Sequence, residues 1–231
     1  MPTSKYERRE SVFFGRKPLF QQLYKEIPLS TPIEEISFTV FDTETTGFRV
    51  LTVDRLIEIA AVQVNGLRVC EEEQFHTFIN PKRQISQEII ELTGITNKKV
   101  ENAPTSIEGI TSLFHFIKEH NSNCLVGHYV SFDIVALKSE LKREKYSLGR
   151  VPTIDTLDLI GYISPSYDMR DLHRYAQNFG TRMYDRHSAT GDALTTAYLF
   201  VELLHHFKSR GKRTWGDLLQ ATENNQNHFF R

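Results

Sequence analysis

Cysteine is nearly missing from this chain. The two present, Cys70 and Cys124, have neither the CxxC spacing of a zinc site nor the density of a disulfide scaffold, which excludes both classes. No apolar run approaches the length that spans a bilayer. The first residues carry no apolar core behind a basic region, so no secretory signal is expected and a reduced, cytoplasmic location is the default. An excess of basic charge is also lacking: the formal net charge is −1. A protein that grips long stretches of nucleic acid normally neutralises many phosphates with Lys and Arg, so any nucleic-acid footprint here is short. Internal repeats and low-complexity segments are absent too. With 39% hydrophobic and 25% charged residues over 231 positions, the chain has the make-up of one well-buried domain with extensions at both ends.

What is present is a pattern of acids. Phe41-Asp-Thr-Glu-Thr-Thr-Gly47 puts Asp42 and Glu44 two positions apart at the end of an apolar run, Phe38 to Phe41, that reads as a buried strand. Residues i and i+2 of a strand share a face. Two carboxylates on one face repel unless a cation sits between them, and oxygen ligands suit hard ions such as Mg²⁺ or Mn²⁺. From these residues alone the alternatives are a metal pair and a solvated strand end. Further along, Gly127 to Asp133 reads as a strand end, a helix N-cap at Ser131 and Asp133 in the first helical turn. Later, Asp192 opens a long helix with His187 just before it. Taken singly, such acids complement a helix dipole as readily as they serve chemistry.

Asp42-x-Glu44 after a strand, Phe132-Asp133 at a helix start and His187-x-x-x-x-Asp192 at a late helix start resemble, in this order, the DEDDh exonuclease family, which includes proofreading subunits of bacterial replicative polymerases. The connecting pieces Leu56 to Val62, Leu92 to Thr96 and Asp155 to Leu157 are similar as well, so the resemblance spans residues 36–206. It implies a ribonuclease H-like α/β fold, a five-stranded mixed sheet flanked by helices on both faces. It implies metal held by Asp42, Glu44, Asp133 and Asp192, two Mg²⁺ or Mn²⁺ ions, and His187 as general base. The implied reaction is 3′-to-5′ hydrolysis of DNA ends, most simply single-stranded, to nucleoside 5′-monophosphates. An RNA-trimming exonuclease and a silent module that binds nucleic acid or polymerase are the alternatives. By resemblance Thr45, Glu88, Leu92, His128 and Phe132 contact the terminal nucleotide. Ordinary core packing is the competing role for Leu92 and Phe132. The family often carries Asn where Tyr129 stands.

The remaining pattern predicts a first strand over 38–42 and a hairpin, 56–64 and 67–79, around Asn65-Gly66, a preferred pair for a tight turn. Thr105 opens a helix whose Ile107, Ile110, Phe114 and Ile117 recur at helical spacing. Short strands follow at 124–127 and 153–155, and helices at 131–145, 156–162, 170–179 and 191–208. The domain division expected is an extension over 1–35, an exonuclease domain over 36–208 and a C-terminal helix and tail over 209–231. A short helix is expected near 19–24 and another near 214–219. The basic cluster around Lys142 is expected on the surface, where it could line an approach to the site. Gln226 with Phe229-Phe230 resembles peptides that bind the bacterial sliding clamp, which adds a clamp or a polymerase as a partner.

Overall fold

β2 (Ser37–Thr45) lies at the centre of a five-stranded sheet ordered β4-β3-β2-β5-β7. The partners are β3 (Leu56–Asn65), β4 (Arg68–Phe78), β5 (Cys124–Gly127) and β7 (Thr153–Asp155). β3 runs antiparallel to β2 and β4 antiparallel to β3, while β5 and β7 continue parallel to β2. The sheet is the mixed ribonuclease H-like one expected. The computed structural model describes residues 17–19, 26–149, 151–164 and 171–226. The expected helix at 19–24 and the Phe229-Phe230 tail lie outside them, apart from Leu19.

Strand alternation sends apolar residues to both faces. Phe38 and Val40 of β2, with Val62 and Val64 of β3, pack under α5 (Thr156–Ile163), α6 (Leu172–Asn178), α7 (Ala189–Ser209) and α8 (Trp215–Gln226). Phe38 and Phe200 meet edge to face at 5.0 Å, an arrangement worth about 0.5–1.5 kcal/mol beyond the area buried. Phe41, Ile59 and Ala61 face the other way, toward α3 (Ser106–Glu119) and α4 (Val130–Arg143). Asp42 and Glu44 continue the even-numbered face of β2, so they emerge on the side of α7. That parity places the two acids where a helix carrying a third acid arrives.

Most expected elements form, with differences that have physical causes. Asn65 pairs with Arg68, so the hairpin turn is Gly66-Leu67 rather than Asn65-Gly66. Gly66 takes φ +58°, and a Cβ there would stand 2.4 Å from the Glu34 carbonyl oxygen; the turn is set by that close approach. α3 begins with a full capping box between Thr105 and Glu108. Two further helices, α1 (Gln87–Thr93) and α2 (Asn97–Val100), had no periodic signal; α1 has no fully buried residue at all. β1 (Lys17–Pro18) pairs in parallel with β6 (Tyr146–Ser147) outside the main sheet.

The segments just before β2 and just after α7 meet. A 3₁₀ turn over Ile33–Glu35 buries Ile33, and Pro32 bridges to Thr214. Trp215 and Leu218 of α8 join the same core. Arg143 of the basic cluster is not a free surface cation. Glu140 accepts both arms of Arg55 at 2.8 Å, Ser106 Oγ at 2.8 Å and Arg143 at 2.8 Å. Arg143 also donates to the carbonyls of Val50, Thr52 and Asp54. The network fastens the loop after β2 to α4. No helix among the described residues is long and apolar enough to cross a membrane.

Candidate active site

The site forms at the ends of the parallel strands β2 and β5, where open α/β sheets commonly bind ligands. Asp42 and Glu44 leave β2 half-buried, while Phe41, Thr43 and Thr45 between and beside them are buried. Asp133 sits in the first turn of α4 and is 4% exposed. Its Oδ1 accepts the Thr43 hydroxyl at 2.6 Å and the Thr43 backbone N–H at 3.1 Å. Asp192 lies in the first turn of α7, and its Oδ2 accepts the backbone N–H of His187 at 3.0 Å. His187 itself holds φ +59°, a left-handed conformation costly for a residue with a Cβ. Ligand-type atoms of Glu44, His187 and Asp192 lie within 4.8 Å of one another.

The electrostatics follow from this convergence. Burial first, then repulsion from Asp133, Asp192, Glu44 and Glu58, drives the Asp42 carboxyl well above its ordinary range. Burial followed by Asp192, Glu58 and Asp133 pushes Glu44 up to about 8. Asp133 is pushed to about 7 by burial, against the Thr43 hydrogen bonds that lower it. Asp192 is raised by burial against the opposing His187 N–H. Burial and the nearby Arg186 lower the His187 imidazole, which favours its neutral form. Carboxylates so placed and so dry cannot all ionise without a compensating cation. The donor set, several carboxylate oxygens, fits Mg²⁺ or Mn²⁺, with the His187 imidazole beside it as a base.

Helix starts are placed by long-range contacts. α4 was expected to begin with Ser131 as its cap, but Ser131 is exposed inside the first turn and Tyr129 is the cap residue, with φ +58°. The reason is Asp155, whose carboxylate accepts the N–H groups of Tyr129 and Val130 at 2.9 Å and of Leu157 at 3.0 Å. Asn tolerates the left-handed region better than Tyr, so Tyr129 holds this conformation at a cost. α7 is held by Glu58, paired across the sheet with Glu44. Glu58 accepts the Ala189 N–H at 2.9 Å and bonds His76 at 2.7 Å. Both residues lie in the connecting pieces of the sequence pattern, which assigned neither a role. A charge inside the apolar run Leu56 to Val62 was the available signal for Glu58, because a buried carboxylate demands partners.

The substrate-contact candidates divide. Thr45 is buried and donates its hydroxyl to the Gly47 carbonyl at 2.8 Å. Phe132, next to Asp133, meets Phe48 at 6.1 Å between ring centroids, and Phe48 is 86% exposed. Phe48 was not singled out from sequence. His128 directly follows β5, with its Nδ1 bonded to Thr156 Oγ1 at 2.7 Å. Glu88 and Leu92 are exposed on α1, and no hydrogen bond or ion pair ties either to the five central residues among the described ones. The partly buried side of α1, Ile89 and Ile90, packs instead on Ile57, Ile85, Ile95 and Val100.

Residues 39–200 match the RNase_T exonuclease family. The chain is 36% identical over 183 residues to a PolC-type DNA polymerase III of Bacillus subtilis, covering 78% of this chain and 12% of that protein. It therefore spans about an eighth of the length of that relative. Exonuclease X in complex with 5′-overhanging duplex DNA superposes with a TM-score of 0.60 at 20% identity, covering 80% of this chain and 98% of that one. The nuclease domain of 3′hExo, a DEDDh family member bound to rAMP, superposes with a TM-score of 0.64 at 18% identity, covering 73% and 92%.

Proposed function

The chain belongs to the RNase_T exonuclease family, and on that premise we propose that it is of the DEDDh type and removes nucleotides stepwise from DNA 3′ ends. The products are nucleoside 5′-monophosphates, and the favoured substrate is a single-stranded or frayed end. Members of this family depend on divalent metal. Asp42, Glu44, Asp133 and Asp192 would hold two Mg²⁺ or Mn²⁺ ions, which when bound supply positive charge to both the attacking and the leaving oxygen.

The protein's own groups do the rest. The neutral His187 imidazole takes a proton from the attacking water. That water's oxygen bonds to phosphorus, and the bond to the 3′ oxygen of the penultimate nucleotide breaks. The Asp192 bond to the His187 N–H keeps the base beside the acids. Thr43, through Asp133, fixes the start of α4 relative to β2. Phe132 and the exposed Phe48 offer rings on which terminal bases stack, a sequence-tolerant contact.

The observation that carries the reading is the convergence of Glu44, His187 and Asp192 ligand-type atoms within 4.8 Å of one another, beside an Asp42 carboxyl that burial and then Asp133, Asp192 and Glu44 raise. The formal charge of −1 agrees with a grip on a few terminal nucleotides through metal and stacking. Partnership with a DNA polymerase, docking on a sliding clamp, a cytoplasmic location and residues 36–208 as the catalytic unit belong to the same proposal. Digestion of matched 5′-labelled DNA and RNA strands with Mg²⁺, Mn²⁺ or chelator tests it. A metal-dependent ladder of shortening products, faster on DNA, is expected. Internal cuts, or full activity in chelator, would overturn the proposal, and a faster RNA ladder would replace DNA with RNA as the substrate.

A further inference from the structure

Behind the acid cluster stands an imidazole that the proposed chemistry leaves unused. His173 Nε2, in the first turn of α6, is buried and has no hydrogen-bond partner. It lies 3.7 Å from Asp192 Oδ1. Buried polar atoms are nearly always paired, so a ring nitrogen aimed at a carboxylate oxygen just beyond bonding range calls for a cause. Its placement is held from two directions. The α6 cap Asp171 accepts the Arg174 N–H at 3.0 Å and pairs with Arg186 at 2.9 Å. Arg186 directly precedes His187, so the start of α6 is fastened to the segment bearing the general base. On the next turn Tyr175 and Ala176 are buried in the core and fix the helix from beneath.

The Asp192 carboxylate is thus bracketed. Oδ2 accepts from the His187 backbone at 3.0 Å, and Oδ1 faces His173. His173 stands outside the group of ligand-type atoms formed by Glu44, His187 and Asp192. We propose that His173 is a positioning residue for Asp192: its Nε2–H closes on Oδ1 and fixes the carboxylate plane so that the remaining lone pairs face Glu44 and Asp42. The closure needed is under an ångström, to roughly the 2.9 Å of an ordinary N–H···O bond. Donors that orient ligating carboxylates are worth about 10–100-fold in metal affinity. The inference rests on the metal site proposed above.

Calorimetric titration of Mn²⁺ into the metal-free full chain, without substrate, is the test. H173A is expected to weaken binding about 10–100-fold. Gln places an amide N–H near the position of Nε2, so H173Q recovers most of the loss. Asn is one methylene short, so H173N does not recover it. Thermal melts in chelator show whether each variant is folded; should H173A fail to fold, the comparison of Gln with Asn decides. Wild-type binding retained by H173A or H173N overturns the inference alone, as does a Gln variant no better than Ala. Absence of Mn²⁺ binding by the unmutated chain overturns both the inference and the metal site beneath it.

Discussion

Replacing Glu44 by Gln is expected to stabilise the metal-free protein by an amount that depends on pH. Burial, then Asp192, Glu58 and Asp133, push the Glu44 carboxyl from an ordinary 4.5 to about 8. An acid raised on folding makes the native state hold more protons than the unfolded chain between those two values. Stability therefore falls as pH rises through that window. At about 1.4 kcal/mol per pH unit, the penalty grows from roughly 1 kcal/mol at pH 5 to roughly 4 kcal/mol at pH 8. For a chain of this length about 2–4 °C in Tm accompanies each kcal/mol. In chelator the Gln variant is thus expected to melt on the order of 10 °C above the unmutated chain at pH 8, and only a few degrees above it at pH 5. Saturating Mn²⁺ should narrow or reverse the gap, because the ion stabilises the carboxylate and not the amide. Scanning calorimetry at the two pH values, with and without Mn²⁺, measures all of this. A Gln variant less stable than its parent at pH 8 in chelator, or a gap indifferent to pH, would refute the reasoning.

Three other outcomes follow from the same geometry. His187→Ala should lower kcat by about 10²–10⁴, the contribution of a general base, with Mn²⁺ affinity nearly intact; unchanged turnover would remove His187 from that role. Asp155→Ala strips the acceptor from three backbone N–H groups. It should cost roughly 1–3 kcal/mol in urea unfolding, as for a lost cap with two partly buried donors left unpaired, and a loss below about 0.5 kcal/mol would contradict the anchoring argument. Phe48→Ala should raise KM for single-stranded DNA roughly tenfold, since base stacking on an aromatic is worth about 1–3 kcal/mol. A variant with normal KM would show that the exposed ring touches no substrate.

Asp42 and Glu44 were legible because strand parity alone assigns them one face. Asp133, His187 and Asp192 were legible because each sits at a helix start whose order and spacing resemble one family. The residues that hold those starts were not. Glu58 reaches Ala189 across 131 positions, and Asp155 reaches Tyr129 across 26. No local period encodes contacts of that kind. The Ser131 cap was misplaced for the same reason, since the true acceptor comes from the end of β7. The hairpin turn moved one residue because Gly66 packs beneath the Glu34 carbonyl, a tertiary constraint that overrides the turn preference of Asn-Gly. Helix α1 escaped notice because a helix with no fully buried residue writes no apolar stripe.

Crystals soaked in Mn²⁺ and a nucleoside 5′-monophosphate, with anomalous scattering recorded at the manganese edge, put the convergence of the acids to the most direct test. Two peaks about 3.5–4 Å apart among Asp42, Glu44, Asp133 and Asp192 are predicted, with His187 on the side of the phosphate. An empty cluster, or manganese bound elsewhere on the chain, would contradict the account.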